Sequence, residues 1–136
     1  MVEIGAFWAY YTIWFLSCCP GARRGVALEM DPAHIDIGRR NAALNGLDIE
    51  FVQGRIGAQD APPAVFETES SGLQEMPTFS LVGLLDHVGL NRVDLLLCDA
   101  QGGEIGMLSG MKALVEAGRI GIAIISTIIT RSPATR

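Results

Sequence analysis

Five short apolar runs, the first four each ending at a glycine or a carboxylate and all separated by segments long enough for helices, constrain this chain most. Val2–Ile4 ends at Gly5 and Ala6. Residues 25–30 (GVALEM) carry Glu29 near their end, and Ile49–Gln53 leads into Gly54 and Arg55. Val93–Cys98 (VDLLLC) ends on Asp99, and Ile120–Ile125 is the fifth run. Strands alternating with helices build a parallel sheet with helices on both faces, so the expected class is α/β, Rossmann-like and doubly wound, with about five strands. Residues 93–98, the most apolar, are expected at the centre of that sheet, where both faces are covered.

The punctuation supports this division. Residues 7–18 have the length of a three-turn helix stopped by Pro20 and Gly21, and being apolar all round it is expected to be buried. Asp31 and Pro32 supply an N-cap and an N1 proline for a helix closing near Asn45 and Gly46. Residues 57–77, rich in Pro, Ser and Gly, read as a surface loop or hairpin with a short strand at 65–68. Ser80 caps a helix to Gly89. Ile105, Leu108, Met111 and Val115 recur at helical spacing before Gly118.

A chain of 136 residues, nearly half of them apolar, fits one domain. Its net charge of −5, with scattered Lys and Arg, gives no field for a phosphate backbone, so nucleic acid is not expected as a partner. Cys18, Cys19 and Cys98 have no CxxC spacing and read as reduced, buried thiols of a cytoplasmic protein. The apolar stretch 6–19 is too short to span a bilayer, and its first charge is Glu3, where a secretory signal needs cations.

In an open parallel sheet, ligands bind beyond the carboxyl ends of the strands. Those ends carry Glu3, Gly5 and Ala6; Glu29 and Met30; Arg55 and Ile56; and Asp99 followed by Glu104. Gly5 leaves room for a ligand to approach the backbone, and Glu29 is placed to accept hydrogen bonds from ribose hydroxyls. The glycines a pyrophosphate loop needs after Gly5 are missing, which favours a nucleoside without phosphate. A cationic nucleoside such as S-adenosylmethionine suits a rim bearing Glu3, Asp99 and Glu104.

Four stretches resemble the motifs of FkbM-type methyltransferases, in that family's order. VEIGAFWAYYTIW resembles the first motif, Asp-x-Gly-Ala-Asn-x-Gly-Tyr-Tyr-Ser/Thr. LEMDP resembles the second, and RRNAALNGL the helix with Asn-x-x-x-Asn. VDLLLCDAQGGEIGMLSGMKAL resembles the block Asp-x-x-x-Lys-x-Asp-x-x-Gly-x-Glu-x-x-x-Leu-x-Gly. The resemblance implies an S-adenosylmethionine-dependent domain that methylates a hydroxyl of a small molecule or sugar. It implies that Glu3, Gly5 and Ala6 line the methionine end of the cofactor, that Glu29 and Met30 lie at the ribose, and that Arg55 and Ile56 flank the adenine. Asp99 and Glu104 lie near the sulfonium and the acceptor, as catalytic candidates. Phe7 replaces the loop asparagine, Ala9 its last glycine, and Leu97 the lysine. By the same resemblance the family's last two strands would be lacking, and residues 1–136 would be a partial single domain.

Two rival readings stand beside this one. In the first, the fold persists as a remnant without turnover; in the second, the protein is exported or membrane-associated. Trp8, Tyr10, Tyr11 and Trp14 can cage a cation, but on a buried helix they are expected in the core. His34 and His87 fall on expected helices away from the strand ends and enter no site. No metal is expected. Ile120–Ile125, if unpaired on its outer edge, would invite a homodimer.

Overall fold

The structure, a computed structural model, describes residues 1–22 and 24–126. A five-stranded parallel sheet contains β1 (Val2–Ile4), β2 (Gly25–Glu29), β3 (Ile49–Gln53), β7 (Val93–Cys98) and β8 (Ile120–Ile125), in the order β3-β2-β1-β7-β8. The order reverses between β1 and β7, which puts the switch-point crevice at their carboxyl ends. The three-residue strand β1, not β7, takes the centre; β7 lies between β1 and β8. The outer edge of β8 has no partner among the described residues, and Ile122 and Ile124 are exposed there. The expectation about strands beyond the fifth falls on residues 127–136, outside the described ones.

Four helices join the strands: α1 (Tyr10–Cys18), α2 (Pro32–Leu44), α3 (Leu81–His87) and α4 (Glu104–Glu116). The main core packs Val2, Ile4, Val26 and Leu28 of the sheet against Leu81, Leu84 and Leu85 of α3 and Met107 and Leu114 of α4. A smaller cluster on the other face holds Ala6, Ala9, Ala27, Ala42 and Ile49. None of the described helices is long and apolar enough to cross a membrane.

Three expectations about burial are corrected. Helix α1 starts at Tyr10 and buries only Thr12 completely, leaving Tyr10 68% and Trp14 57% exposed. A nine-residue helix lying on a sheet covers one stripe, and apolar side chains all round cannot share it. In α4 the buried row is Glu104, Met107 and Leu114, with Met111 packed alongside, whereas Ile105 is 82% exposed and Leu108 and Val115 are exposed too. The helix is turned by close approach: a Cβ on Gly106 would lie 2.9 Å from the Ala58 nitrogen, and one on Gly103 2.5 Å from Ile56 Cγ2. Of the thiols only Cys98 is buried, and burial, the nearby Glu104 and Asp99 push it up to about 12; Cys18 is exposed.

Residues 55–79 form a second sheet in the order β4-β6-β5, from β4 (Arg55–Ile56), β5 (Ala61–Thr68) and β6 (Gly72–Phe79). Strands β5 and β6 are the expected hairpin, longer than residues 65–68 alone. Pro62 and Pro63 fall in its register shift between Ala61 and Ala64, where no ladder bond is required of them.

The hairpin tip returns to the main sheet through Asp31, which is 1% exposed. Its carboxylate caps α2 by accepting from Ala33 N at 2.9 Å, and it also takes Ser70 N at 2.5 Å, Ser71 N at 3.2 Å and the Ser71 hydroxyl. Burial alone would raise the Asp31 carboxyl. Hydrogen bonds from Ser71, Ser70 and Ala33, with the charge of His34, instead hold it down at about 2. A carboxyl lowered from 3.8 to about 2 contributes stability that is fully present above pH 3.8 and lost as pH falls through about 2. Asp31→Asn should therefore cost about 2 kcal/mol in urea unfolding at neutral pH, a penalty that shrinks between pH 4 and 2. An equal penalty at both ends of that range would count against the charge.

Candidate functional site

A cavity of about 660 Å³ opens at the carboxyl ends of β1, β2 and β7, in the range usual for small-molecule sites. Its floor is Glu3 to Ala6 from β1 and its exit, Leu28 to Asp31 from the end of β2 and the residues after it, and Leu97, Asp99 and Ala100 from the end of β7 and the loop after it. Gly54, Arg55 and Ile56 close one side, and Glu67 to Glu69 of the hairpin another. Phe7, Trp8, Tyr10 and Tyr11 stand at the start of α1.

Gly5 has φ +72°, and a Cβ there would lie 2.2 Å from the Asp99 carbonyl oxygen. The close approach that requires glycine is thus made by the backbone just after β7, not by a ligand. Phe7 (φ 49°) and Ala9 (φ 57°) follow in the left-handed region. These are the two positions where the FkbM-type motif carries asparagine and glycine, the residues that adopt this conformation most readily.

Glu3 is buried, and its Oε2 accepts from Thr12 N at 2.8 Å and Thr12 Oγ1 at 2.6 Å, satisfying the first turn of α1 in place of a side-chain cap. Burial raises the Glu3 carboxyl, against the bonds from Thr12 and Tyr11, and the Glu29 carboxylate pushes the same way. Glu29 accepts Met30 N and Asp31 N on Oε1, each at 2.9 Å, and Phe7 N on Oε2 at 2.8 Å. Three of the roughly four acceptor positions of a carboxylate are therefore filled from the chain, and one remains on Oε2.

Seven of the residues singled out from the sequence, Glu3, Gly5, Ala6, Glu29, Met30, Arg55 and Ile56, line this one cavity together with Asp99. Glu104 does not. It is buried, and its two oxygens accept Ala100 N at 3.0 Å and Gly102 N at 2.8 Å, fixing the loop after Asp99 in a turn where Gln101 has φ 47°. Its carboxylate is engaged by the backbone of that loop, which it holds in place.

Sequence reasoning missed three parts of the wall. His34, placed away from the strand ends, lies in the first turn of α2 and lines the cavity, with its Nδ1 3.8 Å from Glu29 Oε1 and its Nε2 3.2 Å from Ser70 Oγ. Its position as third residue of a helix that starts at a strand's carboxyl end was the available signal. Trp8, Tyr10 and Tyr11 are exposed at the cavity mouth rather than in the core. Glu67 and Glu69 arrive with the hairpin, with no local cue. Among the described residues no group of three or more His, Cys, Asp or Glu side chains is arranged to hold a metal.

A parallel sheet with its crevice at the β1/β7 switch point and an acid at the end of β2 defines a Rossmann-like α/β domain. The family model described as the methyltransferase FkbM domain matches residues 2–131, and the chain belongs to that family. No curated protein and no solved structure matches it.

The backbone of this loop yields paired expectations. Ala9→Gly should raise Tm by a few degrees, because relief of a left-handed alanine, worth about 1–2 kcal/mol, exceeds the added freedom of the unfolded chain. Gly5→Ala should destabilise by about 3 kcal/mol through the clash with Asp99. Thermal melts of the two variants check both signs, and a destabilised Ala9→Gly would contradict the strain at that position.

Proposed function

We propose that the chain is an S-adenosylmethionine-dependent O-methyltransferase domain acting on a hydroxyl of a small molecule or sugar. The observation that carries this reading is the open acceptor position on Glu29 Oε2 at the end of β2, inside a cavity whose wall also carries Glu3, Glu67, Glu69 and Asp99. The chemistry of that wall fits the group: an acid for ribose, acidic side chains for a sulfonium and an ammonium, and a loop without the glycines that a pyrophosphate requires.

Glu29 would hold the ribose through one hydroxyl, a second requiring Phe7 N–H to yield its place. Glu3 would face the methionine end, while Arg55 and Ile56 would border the base. S-adenosylmethionine supplies a methyl group bound to a positively charged sulfur, which makes it an electrophile. Asp99, exposed and engaged in no ion pair among the described residues, would accept a hydrogen bond from the acceptor hydroxyl and hold that oxygen in line. Most of the rate would come from this positioning, with proton removal secondary. Glu104 would act only by keeping the loop that carries Asp99 in shape.

The test is a thermal melt with S-adenosylhomocysteine, followed by transfer of a labelled methyl group. Ligand at about 100 times its Kd adds roughly 2.7 kcal/mol, a shift of several degrees, and Glu29→Ala should abolish it. Affinity for S-adenosylmethionine should fall as pH drops through the raised Glu3 value, because the cation is best bound by the ionised form; Glu3→Gln should flatten that dependence. A cooperative melt that S-adenosylhomocysteine leaves unmoved would sink the cofactor assignment, and binding without methyl transfer to any hydroxyl would favour the remnant.

A further inference from the structure

Two departures from the FkbM-type motifs fall on the cavity wall and change its character in one direction. Phe7 stands in place of an asparagine and Leu97 in place of a lysine, so an amide and an ammonium give way to a ring and an alkyl chain. Phe7 stacks on Trp8 with ring centroids 4.6 Å apart, and Tyr10 meets Tyr11 edge-on at 5.3 Å, all four at the mouth and exposed. On the same wall Glu67, Glu69 and Asp99 enter no ion pair among the described residues. The positive groups facing them are Arg55, whose guanidinium lies 5.3 Å from the Phe66 ring, and His34 when protonated.

We infer that the acceptor half of this cavity takes a hydroxylated ammonium compound, an amino alcohol in the broad sense, and rejects anionic acceptors. Ring faces attract a cation through their quadrupoles, and unpaired carboxylates within the same cavity add to the attraction while repelling carboxylates and phosphates. The inference rests on the methyltransferase reading for which half of the cavity is left to the acceptor.

Three probes of one shape separate charge from bulk: choline, its uncharged carbon isostere neohexyl alcohol, and the anion tert-butylacetate. In a Trp14→Phe variant, whose substituted residue is exposed and not in the cavity wall, Trp8 is the remaining indole and reports binding at the mouth by fluorescence. With S-adenosylhomocysteine at saturation, choline should change the Trp8 emission saturably, with a Kd at least tenfold below that of neohexyl alcohol, and tert-butylacetate should produce no saturable change. Joint Glu67→Gln and Glu69→Gln substitution should reduce the preference at least threefold, and added salt should weaken it in the parent.

Equal affinities for choline and its isostere, a response to the anion, or no saturable response to choline would each overturn the inference. Competition between choline and S-adenosylhomocysteine would do so too, since the cation would then be occupying the sulfonium's place. If choline binds as expected while S-adenosylhomocysteine gives no melt shift, the cation preference of the mouth survives and the cofactor assignment falls. The reverse pattern leaves the cofactor reading standing without this acceptor.

Discussion

The end of β1 is held closely from both sides, and the cavity is built around it. Leu28 O accepts the amides of Gly5 and Ala6 at 3.0 and 3.1 Å, tying the strand's exit to β2, while Asp99 N donates to Ile4 O at 2.9 Å from the other side. With Asp99 O lying where a Gly5 Cβ would stand, no other residue type passes between the two neighbours. The left-handed turn at Gly5 then throws the chain away from the sheet. That turn leaves the carboxyl ends of β2 and β7 exposed to the cavity, so Glu29 and Asp99 both face it.

From that point the carboxylates divide between structure and chemistry. Glu3 caps α1, Asp31 caps α2 and anchors the hairpin, and Glu104 fixes the loop after β7; each is buried and engaged by backbone donors. Glu29 is shared, holding Phe7, Met30 and Asp31 while keeping one acceptor position. Asp99, Glu67 and Glu69 are exposed and left to solvent or ligand. A buried acid whose oxygens are filled by N–H groups shapes the site, and one without such donors is able to meet a substrate.

Strand positions and the convergence of Glu3, Glu29 and Asp99 were legible because a parallel strand's apolar run and its polar end are local in sequence. What escaped was decided by contacts far apart in the chain. The rotation of α4 is set where Gly103 and Gly106 meet residues 56–58, and the apolar residues flanking Met111 on either row leave both rotations open to a periodicity argument. The burial of α1 was misread because hydrophobicity without asymmetry says nothing about which stripe is covered. The hairpin's contribution depends on Asp31 meeting Ser70 and Ser71, 39 and 40 residues away. Asp31 read as a helix cap, which it is, and nothing local announces its second set of partners.

The departures at Phe7, Ala9 and Leu97 can now be separated by what they alter. Ala9 is fully buried and takes the backbone conformation a glycine would take, so its effect is strain, with no change in the groups a ligand meets. Phe7 adopts a left-handed conformation, and its ring packs on Trp8 and lies 4.1 Å from that of His34, contacts an asparagine would not make. Leu97 pairs with Glu3 across the β1/β7 ladder, where a lysine would have stood beside that carboxylate; its absence leaves Glu3 with hydrogen bonds but no counter-ion, consistent with its raised carboxyl. The geometry of the crevice is therefore kept while its charge and surface are changed. Glu29, Gly5 and the turn held by Glu104 stay in register around one cavity, which is what the proposed ligand of different charge requires of the altered wall.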